Sequence, residues 1–512
     1  MTPSGASSYS EGVLIEQPAI ELFQSLGWEH INALYETLGP SGTLGRENQS
    51  DVILQRRLLD AFNRLNPGLP PEAFALAVGE LSRDRSRMSM AAANREVYTL
   101  LRGGVKVRIP DPEGDGETVE TVCLIDWDDY GSNDFLLVSQ LWIVGEMYKR
   151  RADLVGFVNG IPLLFLELKA SHKKIETAFT NNLTDYKNTI PHLFWFNAFI
   201  ILSNGSEAKI GSITSEWGHF NEWKKINSEG EEGIISLETA LKGTCDPQRF
   251  LDIMENFILF MEVRGGLVKV VTKNHQYLGV GNAMDALREI KQRKGRLGVF
   301  WHTQGSGKSI SMIFFSQKVL RKVPGNWTFV LVTDRQELDD QIYRTFESSG
   351  AITEGRCQAD SSKDLRRLLT EDHRYVFTLI HKFRTEDGAP HPVLSDRDDI
   401  IVITDEAHRS QYDTLALNMR NGPAECLFPR LYGDTADRGG GKDPGGLRRL
   451  CLHLQLQAVR GRRCHSAAVL RKPHPGASAK GRAGVQRRDG PDSGRGRAGR
   501  GSGEETGAGV FP

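Results

Sequence analysis

The apolar run Leu297-Gly-Val-Phe-Trp-His302 leads into Thr303-Gln304-Gly305-Ser306-Gly307-Lys308-Ser309, and a helical pattern follows from Ile310 to Leu320. A strand, a glycine-rich loop and a helix in that order make a phosphate cradle. Gly305 and Gly307 let the backbone N–H groups, that of Ser306 among them, turn toward phosphate oxygens. Lys308 reaches the β- and γ-phosphates of ATP, and the Ser309 hydroxyl can ligate Mg²⁺. The full pattern has Gly six positions before the lysine; His302 stands there instead. Farther on, Asp399-Ile-Ile-Val-Ile-Thr404 is a second buried-type strand, ending in Asp405-Glu406-Ala407-His408. An acidic pair at the C-terminal end of a parallel strand lies beside the phosphate crevice. Asp405 is expected to hold Mg²⁺ and Glu406 to polarise an attacking water. The bland alternatives are a Gly-rich turn and a solvated helix start.

A second constellation lies upstream. Asp153-Leu-Val-Gly-Phe-Val158 and Pro162-Leu-Leu-Phe-Leu-Glu167-Leu-Lys169 flank Asn159-Gly160. Glu167 and Lys169 are two apart on a strand and share a face. A two-residue Asn-Gly turn would set Asp153 on the opposite face. A three-residue loop, or an equivalent bulge, would set it across from Glu167, and that arrangement is expected. Two carboxylates can bind Mg²⁺, which polarises a phosphodiester, while the Lys ammonium stabilises developing charge. The competing reading is a plain Glu/Lys strand end at a solvated edge.

Two further stretches are less specific. In His275-Gln276-Tyr277, Gln276 could read an adenine edge, or the segment could be a loop turn. Thr333-Asp334-Arg335-Gln336-Glu337-Leu338 closes a strand and opens a helix, whose N–H groups could meet nucleic-acid phosphates; a simple N-cap explains it equally well.

Several elements must position these groups. Glu16–Leu26 reads as an amphipathic helix ending at Gly27, and Asp153–Lys169 as two strands around a Gly turn. Beyond about residue 256, strands at Leu297–Trp301, Thr328–Thr333, Val376–Ile380 and Ile400–Thr404 alternate with helical stretches. That alternation implies a parallel sheet with helices on both faces. No apolar run reaches the length of about 18 residues that a membrane span needs, and the N-terminus lacks a signal pattern. The six cysteines are scattered, with no Cys-x-x-Cys pair. Zinc and disulfide frameworks are therefore not expected, and a reduced, cytoplasmic setting is.

The net charge of −1 over 512 residues conceals two unlike parts. Residues 431–512 hold 16 Lys and Arg against 7 Asp and Glu, and 18 of the 53 glycines. The rest is an acidic body. The expected division is 1–255, 256–430 and a Gly/Arg-rich segment 431–512 with almost no periodic apolar pattern.

In this order the motifs resemble the motor-nuclease (R) subunit of type I restriction endonucleases over roughly residues 11–425. Asp153…Glu167-Leu-Lys169, His275-Gln-Tyr277, Gly298 through Ser309, Val332-Thr-Asp-Arg335, Asp405 through Tyr412 and Leu415 through Arg420 carry the likeness. It implies an α/β chain: a PD-(D/E)xK nuclease domain followed by a RecA-like lobe of superfamily 2 helicase type. It further implies ATP and Mg²⁺ as cofactors, double-stranded DNA as substrate, and methyltransferase (M) and specificity (S) subunits as partners. Asp153, Glu167 and Lys169 carry over as the nuclease triad, and Gln276 as the adenine reader. Glu16 stands where the first nuclease helix of the family carries an acidic residue. The family's Gln-x3-Tyr element is here Asn182-Leu-Thr-Asp-Tyr186, one methylene shorter in reach. Two rivals remain: a nuclease-free superfamily 2 helicase or repair protein, and an inactive remnant competing for partner subunits.

The likeness stops where the family should show Gly-Phe-Thr-Gly-Thr-Pro-Leu. Arg430-Leu-Tyr-Gly-Asp-Thr-Ala436 stands there. Read one nucleotide out of step, synonymous codons for this segment encode the missing motif. Frameshifted translation from about residues 422–430 onward is therefore expected, with no second motor lobe and no translocation by this chain. A genuine disordered nucleic-acid-binding tail is the alternative.

Overall fold

The computed structural model describes residues 15–111, 116–293, 295–303, 305–353, 355, 357–383, 397, 399–405 and the backbone of strand 451–459. The predicted first helix is present as α1 (Gln17–Ser25), burying Ala19, Ile20 and Phe23 on one stripe. It stops at Gly27, whose φ of 95° is the left-handed turn that closes a helix. Strand β1 (Glu29–Asn32) follows, then α2 (Gln55–Leu65), α3 (Pro71–Leu81) and α4 (Met90–Gly103). An antiparallel hairpin, β2 (Val105–Pro110) with β3 (Glu117–Val122), comes next.

The first sheet is built around β4 (Phe135–Val144), β5 (Lys149–Val158) and β6 (Ile161–Leu168). A π-helical turn (Ala178–Leu183), α5 (Thr184–Thr189) and α6 (Pro191–Phe194) then cross to β7 (Phe199–Ser203), β8 (Ala208–Gly211) and β9 (Asn221–Glu222). The order is β1-β4-β5-β6-β7-β8-β9, with β1–β4 and β6–β7 parallel and the other pairs antiparallel. Every residue of β6 is buried, which is what a continuous apolar run between two other strands requires.

Helices α7 (Ser236–Thr244) and α8 (Pro247–Asn256) and the hairpin β10 (Ile258–Val263)–β11 (Gly266–Val271) lead to α9 (Asn274–Arg288). The second sheet follows in β12 (Arg296–Thr303), α10 (Lys308–Lys322), β13 (Thr328–Thr333), α11 (Gln336–Ser348), α12 (Ser362–Thr370), β14 (Tyr375–Leu379), β15 (Ile400–Asp405) and β16 (Cys451–Val459). Its order is β12-β16-β15-β13-β14, all parallel. The predicted alternation of strands and helices is thus present. The segment after residue 430, expected to have almost no periodic apolar pattern, contains one described strand, β16. Cys-Leu-His-Leu-Gln-Leu-Gln-Ala-Val alternates apolar and polar types with the period of a strand.

One continuous core joins the two sheets. Trp28 meets Phe23, Phe135 and Phe250 edge-on at 5.1–5.5 Å, and its indole N–H donates to the Cys245 carbonyl at 2.8 Å. Edge-to-face rings add to the burial gain by about 0.5–1.5 kcal/mol each. Phe257 packs on Phe314 of α10. The same helix is tied to α8 by Lys318, which reaches both carboxylate oxygens of Asp252 at 2.7 Å. Lys322 adds Glu255 at 2.9 Å and Asp128 at 2.8 Å. Among the described residues no helix is long and apolar enough to cross a membrane, and Cys123, Cys245 and Cys357 are free thiols.

Candidate functional site

The first site is made by one hairpin. Asn159 and Gly160 both take left-handed backbone, φ 50° and 77°, so the turn is the two-residue kind that matches strand twist. Val158 pairs with Ile161 and Phe157 with Pro162; the register then shifts, and Gly156 pairs with Leu164 and Leu154 with Leu166. The longer loop is absent, and its equivalent, a bulge at Leu163, takes the extra residue. Continued by one step, that register sets Asp153 across from Glu167. The carboxylate of Asp153 accepts the Leu168 N–H at 2.9 Å. The ammonium of Lys169 donates to Glu167 Oε1 at 2.6 Å and to the Leu168 carbonyl at 3.0 Å. Glu167 is 1% exposed and Lys169 9%. A carboxylate so buried needs a paired cation, and the predicted triad supplies it. Asp153, by contrast, is half-buried and open to solvent.

Two more residues border this hairpin. The Tyr186 hydroxyl donates to the Arg151 carbonyl at 3.0 Å. Burial raises its pKa above the usual phenol range; the charges of Glu167 and Asp153 push it further, and a hydrogen bond from Asn182 opposes them. Asn182 and Tyr186 therefore sit beside this hairpin, where the family resemblance placed them. Gln140 was not anticipated. It lies between Ser139, paired with Leu154, and Leu141, paired with Ala152, and so opposite Asp153. Its φ of 57° is rare for a residue with a side chain, and its amide donates to Glu16 Oε2 at 2.7 Å. Glu16 is thus linked to the strand facing Asp153. Nothing in the sequence marks Gln140, because a left-handed residue inside a strand has no local signature outside glycine.

The second site sits at the edge of the parallel sheet. Gly305 and Gly307 have φ of 77° and 89°, conformations that leave the loop's N–H groups free to converge. Gly307 precedes α10, whose first residues are Lys308 and Ser309. Lys308 Nζ lies 3.3 Å from Asp405 Oδ1, so the loop lysine and the acid ending β15 are brought together. The side-chain amide of Gln276 donates to the Gly307 carbonyl at 3.0 Å, while its oxygen accepts the Lys273 N–H at 2.9 Å. His275 Nε2 lies 3.2 Å from the Ser306 carbonyl. The N-terminus of α9 thereby grips the phosphate loop from behind. Glu406 lies outside the described residues. Among those described, no three or more His, Cys, Asp or Glu side chains converge as a ready-made metal cage.

Residues 8–219 match the family described as "Type I restriction enzyme R protein N terminus (HSDR_N)", and residues 275–428 match "SWI2/SNF2 ATPase". The Type I restriction enzyme HindI endonuclease subunit of Haemophilus influenzae is 36% identical over 82% of this chain and 41% of its own length. The putative type I restriction enzyme MjaIXP endonuclease subunit of Methanocaldococcus jannaschii is 33% identical over 83% and 42%. A solved structure, the ATP-dependent Type ISP restriction-modification enzyme LlaBIII bound to DNA, superposes with a TM-score of 0.24 at 13% identity, covering 78% of this chain and 22% of that one. The fold is thus mixed α/β, with an ATPase lobe of SNF2 type. More specifically, the chain is similar to the R subunits of type I restriction enzymes. It spans about two fifths of the length of these curated relatives.

Proposed function

We propose that this chain carries the nuclease and first motor lobe of a type I restriction subunit, a site-specific deoxyribonuclease. Its PD-(D/E)xK-type domain would cut unmodified double-stranded DNA with Mg²⁺, and its RecA-like lobe would serve ATP-driven translocation. M and S subunits would deliver the recognition site. The observation that carries this reading is the convergence of Asp153, Glu167 and Lys169 on one hairpin.

The donor set fits a divalent ion. Mg²⁺ typically takes one or two carboxylates and completes its shell with water and substrate phosphate; Asp153 and Glu167 are two such carboxylates, one of them open to solvent. Held there, the ion would polarise the phosphodiester and acidify a water. Lys169 pairs with Glu167 in its buried place and would present an ammonium to charge developing on the phosphate. In the ATP site, Lys308 and the N–H groups of Gly305, Ser306 and Gly307 bind phosphate, Ser309 and Asp405 hold Mg²⁺, Glu406 orients water, and Gln276 reads adenine.

Lys169→Ala tests the reading in the chain assembled with its methyltransferase and specificity subunits. Cleavage is expected to fall by roughly 10²–10⁴-fold, with ATP binding kept. Undiminished cleavage would sink the nuclease assignment in favour of a nuclease-free motor.

We also infer that the reading frame changes at about residues 422–430. The ATPase match ends at residue 428, and the segment after it can be written in synonymous codons whose shifted frame would encode the missing motif. The pattern of β16 supports this as well. A parallel strand between two others normally reads as a continuous apolar run, as β13 and β15 do, whereas residues 451–459 alternate. The nucleotide sequence across codons 415–450 decides it; an intact frame with no motor motifs in another frame would refute the inference.

A further inference from the structure

We propose that the β4–β5 hairpin is a phosphate track that leads a DNA strand into the Asp153–Glu167 pair, with Lys149 and Arg151 as its gripping groups. The proposal rests on the nuclease reading. Lys149, Arg151 and Asp153 occupy alternate positions of β5 and so share a face, each about 6.8 Å from the next. Across the hairpin, Trp142 pairs with Arg151 and Val144 with Lys149. The Trp142 ring holds both cations, with Lys149 Nζ 4.5 Å and Arg151 Cζ 5.6 Å from its centroid. Both side chains are otherwise exposed, and among the described residues neither forms an ion pair. Arg150, on the alternate position, differs: its guanidinium is bound by Asp185.

The aromatic ring limits the rotamer freedom of two long cations, and neither cation is neutralised. Such a pair suits a row of phosphates and does little for a protein surface in water. The track is also fixed to the site. The Arg151 carbonyl receives the Tyr186 hydroxyl at 3.0 Å. The Trp142 carbonyl receives the buried Arg46 guanidinium at 3.0 Å, and Arg46 is paired with equally buried Glu36. At the tip, Gly145 N–H bonds the Tyr148 carbonyl, and Met147 and Tyr148 are 82% and 52% exposed. Apolar groups there would face the sugar edges of a strand held by its phosphates. The acid nearest the tip, Glu146, is exposed; Asp185 is already occupied by Arg150.

The test is binding of a short DNA duplex to the full chain without divalent metal, followed by fluorescence anisotropy across a salt series. Each lost phosphate contact flattens the slope of log K against log salt by about 0.9. Lys149→Ala with Arg151→Ala should therefore flatten it by about 1.8 and weaken binding about sixtyfold at 0.1 M salt. Exchanging the two cations, Lys149→Arg with Arg151→Lys, should preserve the slope, and Arg150→Ala should leave it unchanged. If the double variant melts early, each single variant should flatten the slope by about 0.9. An unchanged slope and affinity would overturn the track and leave the nuclease reading standing. A wild-type chain that neither binds nor, in the assembled complex, cuts DNA would overturn both.

Discussion

Asp153, Glu167 and Lys169 come from a single hairpin, whereas the ATP groups come from Gln276, the loop at 305–309 and Asp405 on another strand. The first site forms once a turn and one bulge set the register of two neighbouring strands. The second exists only after a sheet has ordered itself β12-β16-β15-β13-β14, with α9 docked behind the loop. A local site tolerates changes elsewhere in the chain, while a composite one inherits every fault of the elements between its parts. That contrast separates what the proposed frame change would touch: the hairpin and its helix all precede residue 430, but β16, a neighbour of β12 and β15 at the proposed ATP site, follows it.

The contrast also governs what sequence reasoning could reach. Strands with long apolar runs, β13 and β15 above all, lie where their patterns put them, because burial on both faces leaves no other reading. The phosphate loop is visible because its glycines are demanded by backbone conformation. The registration of Asp153 against Glu167 is expected from the chemistry of the pair, not from the pattern of the strand. It depends on which residue is extruded, and Leu163 looks like any other apolar residue of its strand. Gln140 and the Trp142 stack depend on cross-strand neighbours, which a linear pattern does not contain. Gln276 was read as an adenine group; its bond to the Gly307 carbonyl is a tertiary contact that no spacing announces.

Lys169→Ala is the largest break on the nuclease side, and it should leave the ATP site untouched. Its counterpart on the motor side is Gly307→Ala. A methyl group there would stand 2.8 Å from the Gln276 amide nitrogen, at a φ of +89°. The left-handed backbone alone costs roughly 1–2 kcal/mol for an L-residue, and about 1.4 kcal/mol is tenfold in affinity. Titration calorimetry with ATP should show affinity reduced about tenfold or more. Unaltered ATP affinity would mean that the α9 grip does not shape the phosphate site, and the composite account would fail.

The smallest expected effect concerns Asn182. Asn182 lies beside the Tyr186 hydroxyl and opposes the rise that burial gives its pKa, and that hydroxyl donates to the Arg151 carbonyl. The short Asn182 side chain stays close to Tyr186, which is tied to β5 through the Arg151 carbonyl. Glutamine adds one methylene and could contact a strand lying along Lys149 and Arg151 while Tyr186 keeps its bond to Arg151. One net hydrogen bond is worth about 0.5–1.5 kcal/mol, so Asn182→Gln should raise the single-turnover cleavage rate of the assembled complex by roughly two- to tenfold. ATP affinity should not move, since the change is confined to the local site. A fall in cleavage would assign Asn182 to the support of Tyr186 alone, and the cations of β5 would then be the sole proposed DNA grip on that flank of the hairpin.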